Sequence, residues 1–270
     1  LLDNGKVVYG QSFAIYALAQ YTLSTGDPRG LDYACRTFDL LQRYCADVAR
    51  GGYYENLEPD WTPSAGGSHA GDRKSLDIHM HLMEGFTTLA AASGEAVHQR
   101  RLREVIDVIL THMVDWEHGC GGNQYDLAFN PLPAIGIRRT FNAERDGEAV
   151  ESPADTTSYG HNIELVWLLL RAAEVLGKPQ EAYTKVAKRL IDHAMSYGLD
   201  KTHGGVYRDG PHEGPAFVKD KEFWQNAEAL VGFLDAYRLT GDPAYVEAFE
   251  LVWDFVRDHM INHELGEWRT

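Results

Sequence analysis

The sequence is short of basic residues, of cysteine and of long apolar runs. Against 40 Asp and Glu it carries 25 Lys and Arg, a formal net charge of −15. That balance excludes a protein whose affinity comes from displacing counterions along a phosphate backbone, so no nucleic-acid partner is expected. The 3 cysteines, Cys35, Cys45 and Cys120, are an odd number with no CxxC pair. Neither a disulfide framework nor a structural zinc site is suggested, and a reducing, cytoplasmic setting fits best. No run of about 18 uncharged apolar residues occurs, so no span of a bilayer and no membrane partner are expected. The opening LLDNGK lacks a Met, a basic start and an apolar middle, so it does not read as a signal peptide, and the natural N-terminus is expected to lie upstream.

What is present is enough apolar material for one sizeable core: 44% of 270 residues. The apolar stretches have helical periodicity and close in similar turns. YTLSTGDP (21–28), AASGEA (91–96), EVLGKP (174–179) and YRLTGDP (237–243) each end one helix at a Gly and open the next at Pro or Ala. Their recurrence every ~65 to 85 residues marks a repeated supersecondary unit, a helical hairpin. The second helices are predicted over roughly 29–49, 96–114, 180–198 and 244–261, with Leu, Val and Ala at three- and four-residue spacing.

Gly-rich, aromatic segments follow those helices: GGYYE (51–55), CGGNQYD (120–126), GGVYRDG (204–210) and LGEW (265–268). They read as short strands or turns joining one hairpin to the next. Between Trp116 and Ser158 runs a connection of ~40 residues, long enough to suggest a lid, a binding loop or a disordered insert. An all-helical series of four hairpins predicts a toroid of paired helices or an open solenoid. A closed ring of six would need roughly 390 residues.

Two inner helices carry a His and a Glu three residues apart near their starts: His161 and Glu164 in SYGHNIELVW, and His81 and Glu84 in KSLDIHMHLMEGF. The spacing puts each pair on one face, and Asp77 joins His81 and Glu84 there, while His79 is turned away by roughly 200°. Three readings compete. Each His is a satisfied core residue bonded to its Glu, or the residues bind a pair of metal ions, or they perform acid-base chemistry. Bundle metal motifs run Glu-x-x-His, the reverse of the order here, and HxH on a helix is a poor zinc pair. A neutral imidazole whose tautomer is fixed by a carboxylate can take and return a proton near pH 7. Two such histidines at equivalent places would suit a reaction in which a carbon loses a proton on one face and gains it on the other.

Four stretches, LDIHMHLME (76–84), SYGHNIELVWLLL (158–170), KVVYGQSFAIYALAQY (6–21) and FWQNAEALVGF (223–233), occur in this order over nearly the whole chain. Together they resemble the N-acylglucosamine 2-epimerase superfamily, and within it the cellobiose 2-epimerases. The resemblance implies an all-α, (α/α)6 barrel, with residues 1–270 as a single barrel domain. It also implies interconversion of a reducing-end aldose at C2 through an enediolate, with no cofactor and no metal. By motif, His161 would be the acid-base residue, Glu164 its orienting partner, and His81 an aid at the sugar oxygens or in ring opening. Tyr9, Asp77, Glu84 and Trp224 would contact the sugar, Trp224 by stacking. Asp77 stands where the family usually has Asn, replacing a two-way hydrogen-bonder by one that only accepts when ionised.

The resemblance also implies an arginine-bearing first hairpin before Leu1 and a histidine-bearing helix after Thr270. The chain is therefore expected to hold about four of six hairpins, with negligible epimerisation from residues 1–270 alone. The expected partners are a small sugar or disaccharide and, at most, a second copy of the chain. Aldose-ketose isomerisation, N-acylglucosamine epimerisation and glycan binding without catalysis stay open as alternatives.

Overall fold

A computed structural model of the chain describes residues 5–66, 70–134 and 154–269. They group into two compact units, one of Leu1–Met113, Gln124–Ile135 and Arg171–Lys178, the other of Val114–Asn123, Gly136–Leu170 and Pro179–Thr270. Among the described residues no helix is long and apolar enough to cross a membrane.

The first unit opens with strand β1 (Lys6–Val7), helices α1 (Val8–Thr25) and α2 (Pro28–Tyr44) and strand β2 (Asn56–Leu57). Next come β3 (Arg73–Ser75), α3 (Leu76–Ser93) and α4 (Ala96–Val108). The second unit begins with β4 (Val114–Asp115) and β5 (Cys120–Gly121), which are followed in the first unit by β6 (Gln124–Asp126). Strand β7 (Thr156–Ser158) leads into α5 (Tyr159–Val175), whose residues to Leu170 belong to the second unit. That unit continues with α6 (Thr184–His193), β8 (Asp209–Pro211), α7 (Phe223–Thr240), α8 (Ala244–Phe255), β9 (Ile261–Asn262) and β10 (Glu267–Trp268).

The hairpin turns form as the sequence predicts. Gly26, Gly94 and Gly241 end α1, α3 and α7 with φ of 74°, 68° and 74°, and each N–H returns to a carbonyl of the last turn. A side chain at those angles would be strained, which is why Gly holds the position. Asp27 caps α2, its Oδ1 accepting from Arg29 N–H at 2.9 Å, with Pro28 at the first helical position. Ser75 does the same for α3 through Ile78 N–H at 3.3 Å.

Three of the second helices end differently from expectation. After α4, α6 and α8 the chain widens into a π turn, at Ile109–Met113, Ala194–Gly198 and Val256–Met260. Two residues beyond each comes a tight turn built on one side chain. Oδ1 of Asp115 accepts from the N–H of Glu117 and His118, that of Asp200 from Thr202 and His203, and that of Asn262 from Glu264 and Leu265. Asp47 builds the same turn after α2 with Ala49 and Arg50. The chain then folds back as strand or bridge, and each strand that enters an inner helix pairs antiparallel with one beyond these turns: β1 with β2, β3 with β6, β7 with β8.

A buried polar contact joins three of these turns to a following helix. Tyr53 N–H donates to His79 Nε2 at 3.0 Å, Gly121 N–H to Asn162 Oδ1 at 2.8 Å, and Val206 N–H to Asn226 Oδ1 at 2.8 Å. Each acceptor is the fourth residue of its helix and is fully buried. Because His79 Nε2 accepts, its proton sits on Nδ1, which faces Ser75 O at 2.9 Å and the buried Glu55 at 3.5 Å. Burial pushes the Glu55 carboxyl up, against the opposing pull of His79 and Ser75.

Of the long connection between Trp116 and Ser158, where a lid, a binding loop or an insert is expected, residues 124–126 and 156–158 are strands, while 135–153 lie outside the described residues. Asn226→Ala would strand the Val206 N–H in the core, a loss of about 1–3 kcal/mol. Urea unfolding reads it as a lowered midpoint, and an unchanged midpoint would show that this contact carries no stability.

Candidate functional site

In the first unit the His81 ring is caught between two carboxylates of its own helix. Its Nδ1 is 3.1 Å from Glu84 Oε2 and its Nε2 is 3.3 Å from Asp77 Oδ1. A neutral imidazole donates from only one nitrogen, so one of these contacts asks for a second proton. Two aromatic rings from α1 close the other sides, Tyr9 edge-on at 5.1 Å and Phe13 tilted at 4.7 Å between ring centroids. The His81 side chain is 9% exposed and that of Asp77 38% exposed, so the ring is shielded while one of its acids faces outward. Tyr9, Asp77, His81 and Glu84, named from the sequence, are thus brought together, and Phe13 is an added neighbour.

In the second unit the half-buried His161 ring lies against Trp224, centroids 4.9 Å apart and tilted by 34°. Glu164 follows three residues on in α5 and is buried. Trp224 is oriented by a short hydrogen bond of 2.7 Å from its Nε1 to Glu222 Oε2. Glu222 in turn lies 3.6 Å from the guanidinium of Arg208, which also reaches Asp209 at 3.2 Å. A chain of polar contacts thus runs from the indole beside the imidazole through Glu222 and Arg208 to Asp209. Arg208, Asp209 and Glu222 were missed in the sequence; the signals were the RDG that ends the third Gly-rich segment and the acid two residues before Trp224.

The two His-Glu pairs do not occupy equivalent places. Counted from the starts of α3 and α5, His81 is the sixth residue and His161 the third, so it is Glu164 that matches His81. The equal spacing of the pairs conceals a shift of three residues in register.

Asp209 is the most perturbed acid of this group. Burial, reinforced by the charge of Glu222 and only partly relieved by Arg208, pushes its carboxyl up to about 7. An imidazole can take and return a proton at ordinary pH, so the ring laid on Trp224 has the means for proton transfer.

The family model described as N-acylglucosamine 2-epimerase (GlcNAc 2-epimerase) matches residues 1–270. The chain belongs to the N-acylglucosamine 2-epimerase family. It is 29% identical to the cellobiose 2-epimerase of Bacteroides fragilis over 99% of this chain and 64% of that protein. It is 24% identical to the D-mannose isomerase of Marinomonas mediterranea, over 99% of this chain and 64% of that protein. A crystal structure of a sugar epimerase from a ruminal bacterium superposes with a TM-score of 0.82 at 25% identity, covering 98% of this chain and 63% of that one. The chain thus spans about 64% of the length of the curated relatives it matches. Its fold is the all-α, (α/α)6-barrel class of the family's solved structures.

Asp209 makes the pH dependence of this family member specific. Against an ordinary value of 3.8, a folded value of about 7 means that the folded chain keeps a proton the unfolded chain has released. Its stabilisation is complete below about pH 4 and is lost as pH rises through about 7. Asp209→Asn is expected to flatten the fall of unfolding free energy between those limits by up to one proton's slope. Urea titrations across that range check it, and an unaltered slope would place the effect elsewhere.

Proposed function

We propose that the protein interconverts glucose and mannose at the reducing end of a β-1,4-linked, cellobiose-like disaccharide. The observation that carries this reading is the His161 ring laid against Trp224, in a member of a family of sugar epimerases. An indole face suits the apolar side of a pyranose, and the imidazole beside it is a base of the right strength for a carbon acid next to a carbonyl.

In the proposed reaction the sugar ring opens and His161, oriented by Glu164, takes the proton from C2. The C–H electron pair moves into a C1–C2 double bond, giving the enediolate. Reprotonation of C2 on the other face yields the epimer with no net oxidation. A single base returns a proton to the face it came from, so inversion also needs a donor on the opposite face, and that donor is not among the residues proposed. His81, held by Asp77 and Glu84, is assigned to the sugar oxygens and to ring opening, with Tyr9 and Trp224 as contacts. The substrate is a small sugar, no cofactor or metal enters the reaction, and the proposed setting is cytoplasmic, as a monomer or homodimer.

The relationship to a D-mannose isomerase favours one second reading, because the same enediolate protonated at C1 gives a ketose. N-acylglucosamine as substrate follows from the family description alone. Binding of glycans without chemistry is a poorer account, since it has no use for an imidazole between two carboxylates. Chromatography after incubation of the full-length protein with cellobiose and, separately, with mannose distinguishes these readings. A mannose-terminated disaccharide from cellobiose is the expected product; a ketose from mannose, with cellobiose untouched, would replace epimerisation by isomerisation. His161→Asn keeps size and hydrogen bonding but cannot shuttle a proton, and turnover of the full-length protein should drop by about 10²- to 10⁴-fold. Unchanged turnover would remove His161 from the mechanism.

A further inference from the structure

In two of the Asp-centred turns a lysine ammonium plugs the turn. Lys74 Nζ sits 3.0 Å from Asp47 Oδ2 and 2.6 Å from Gly51 O, and Lys221 Nζ sits 2.7 Å from Asp200 Oδ2 and 2.6 Å from Gly204 O. Both lysines stand two residues before the first residue of an inner helix, α3 or α7. The same place before α5 holds Thr157, which has no charge to offer Asp115.

A different set of donors surrounds that aspartate. His118 Nδ1 and His212 Nδ1 lie 2.7 and 2.9 Å from Asp115 Oδ2. Cys120, fully buried, occupies the place that Gly52 and Gly205 hold in the other turns. One ligand atom each from Asp115, Cys120 and His212 lies within 4.8 Å of the others. Nε2 of His212 is buried with no hydrogen-bond partner, and the His212 carbonyl is anchored 2.8 Å from Nε2 of the buried His193.

We propose that Asp115, Cys120 and His212 bind a zinc ion where Lys74 and Lys221 place an ammonium in the other two repeats, with His118 beside Asp115 as its hydrogen-bond partner. Thiolate, imidazole and carboxylate are the donors of tetrahedral zinc, which takes three protein ligands and one from solvent as readily as four. No CxxC spacing announces it, because the ligands come from one tight turn and from a segment almost a hundred residues later. On binding, the Cys120 thiol gives its proton to solvent and the sulfur pair goes to the metal. The His212 ring exchanges its N–H contact with Asp115 for a metal bond, and affinity rises with pH. The ion would tie the β4–β5 turn to the 212 segment; none of its three protein ligands is a residue proposed for the sugar.

Titrating the purified protein with cobalt(II) and zinc(II) tests this directly, because cobalt bound to a thiolate shows a charge-transfer band that oxygen and nitrogen ligands do not give. The expected result is one equivalent of tightly bound metal with that band, and a zinc-dependent rise in melting temperature. Cys120→Ser should abolish the band and His212→Gln should weaken binding by at least about tenfold. Absence of the band, or equal binding by both variants, would mean adventitious capture by other histidines and would overturn the site. Circular dichroism establishes that each variant folds. Should Cys120→Ser not fold, an undiminished affinity in His212→Gln is sufficient to overturn it. None of these readouts depends on sugar turnover, so failure here and failure of the epimerase reading are separate results.

Discussion

A helical hairpin that hands the chain to the next hairpin must reverse through residues whose N–H groups end up in the core, and a buried N–H without an acceptor costs more than most side-chain contacts return. In this protein the acceptor comes from the fourth residue of an inner helix, as His79, Asn162 and Asn226. That contact fixes the axial position and the rotation of each inner helix against the turn it receives. Positions one before and two after the bolt are thereby set, and they are the places of His161, His81 and Glu164. The proposed chemistry hangs on a structural hydrogen bond that itself touches no sugar.

The charged plugs obey the same logic. Burial alone would raise the carboxyls of Asp47 and Asp200, yet both are held below the usual carboxylate range by a lysine and by turn N–H groups. For Asp115 burial likewise works to raise the carboxyl, and His118, His212 and the N–H of Glu117 bring it to about 2. An anion placed to shape a turn needs a cation close by, and the three turns meet that need with two chemistries.

Much of the fold was legible because hairpin turns use residues with no substitute: a Gly at positive φ, then Pro or Ala opening the next helix. The π turns were not, since they need no special residue and leave the apolar periodicity intact. The bolts were hidden for a related reason. One Asn in an apolar run, as at Asn162, looks like noise until the turn it answers is in place, and His79 was legible only as facing away from Asp77 and Glu84. Spacing revealed the Asp77, His81 and Glu84 cluster, because three and four residues on a helix are a local matter. Register is not local, so the offset between His81 and His161 emerged only once the helix starts were fixed. Arg208 and Glu222 reach Trp224 from a turn and a helix cap, and no periodicity points to them.

The central claim is that this family member labilises the C–H bond at C2 of a reducing-end aldose. Incubation of the full-length protein with cellobiose in deuterated water, followed by NMR of the recovered disaccharides, reads that bond directly. The account predicts deuterium at C2 in the mannose-terminated product. Product carrying the original hydrogen at C2, or sugar recovered without any exchange, would contradict it.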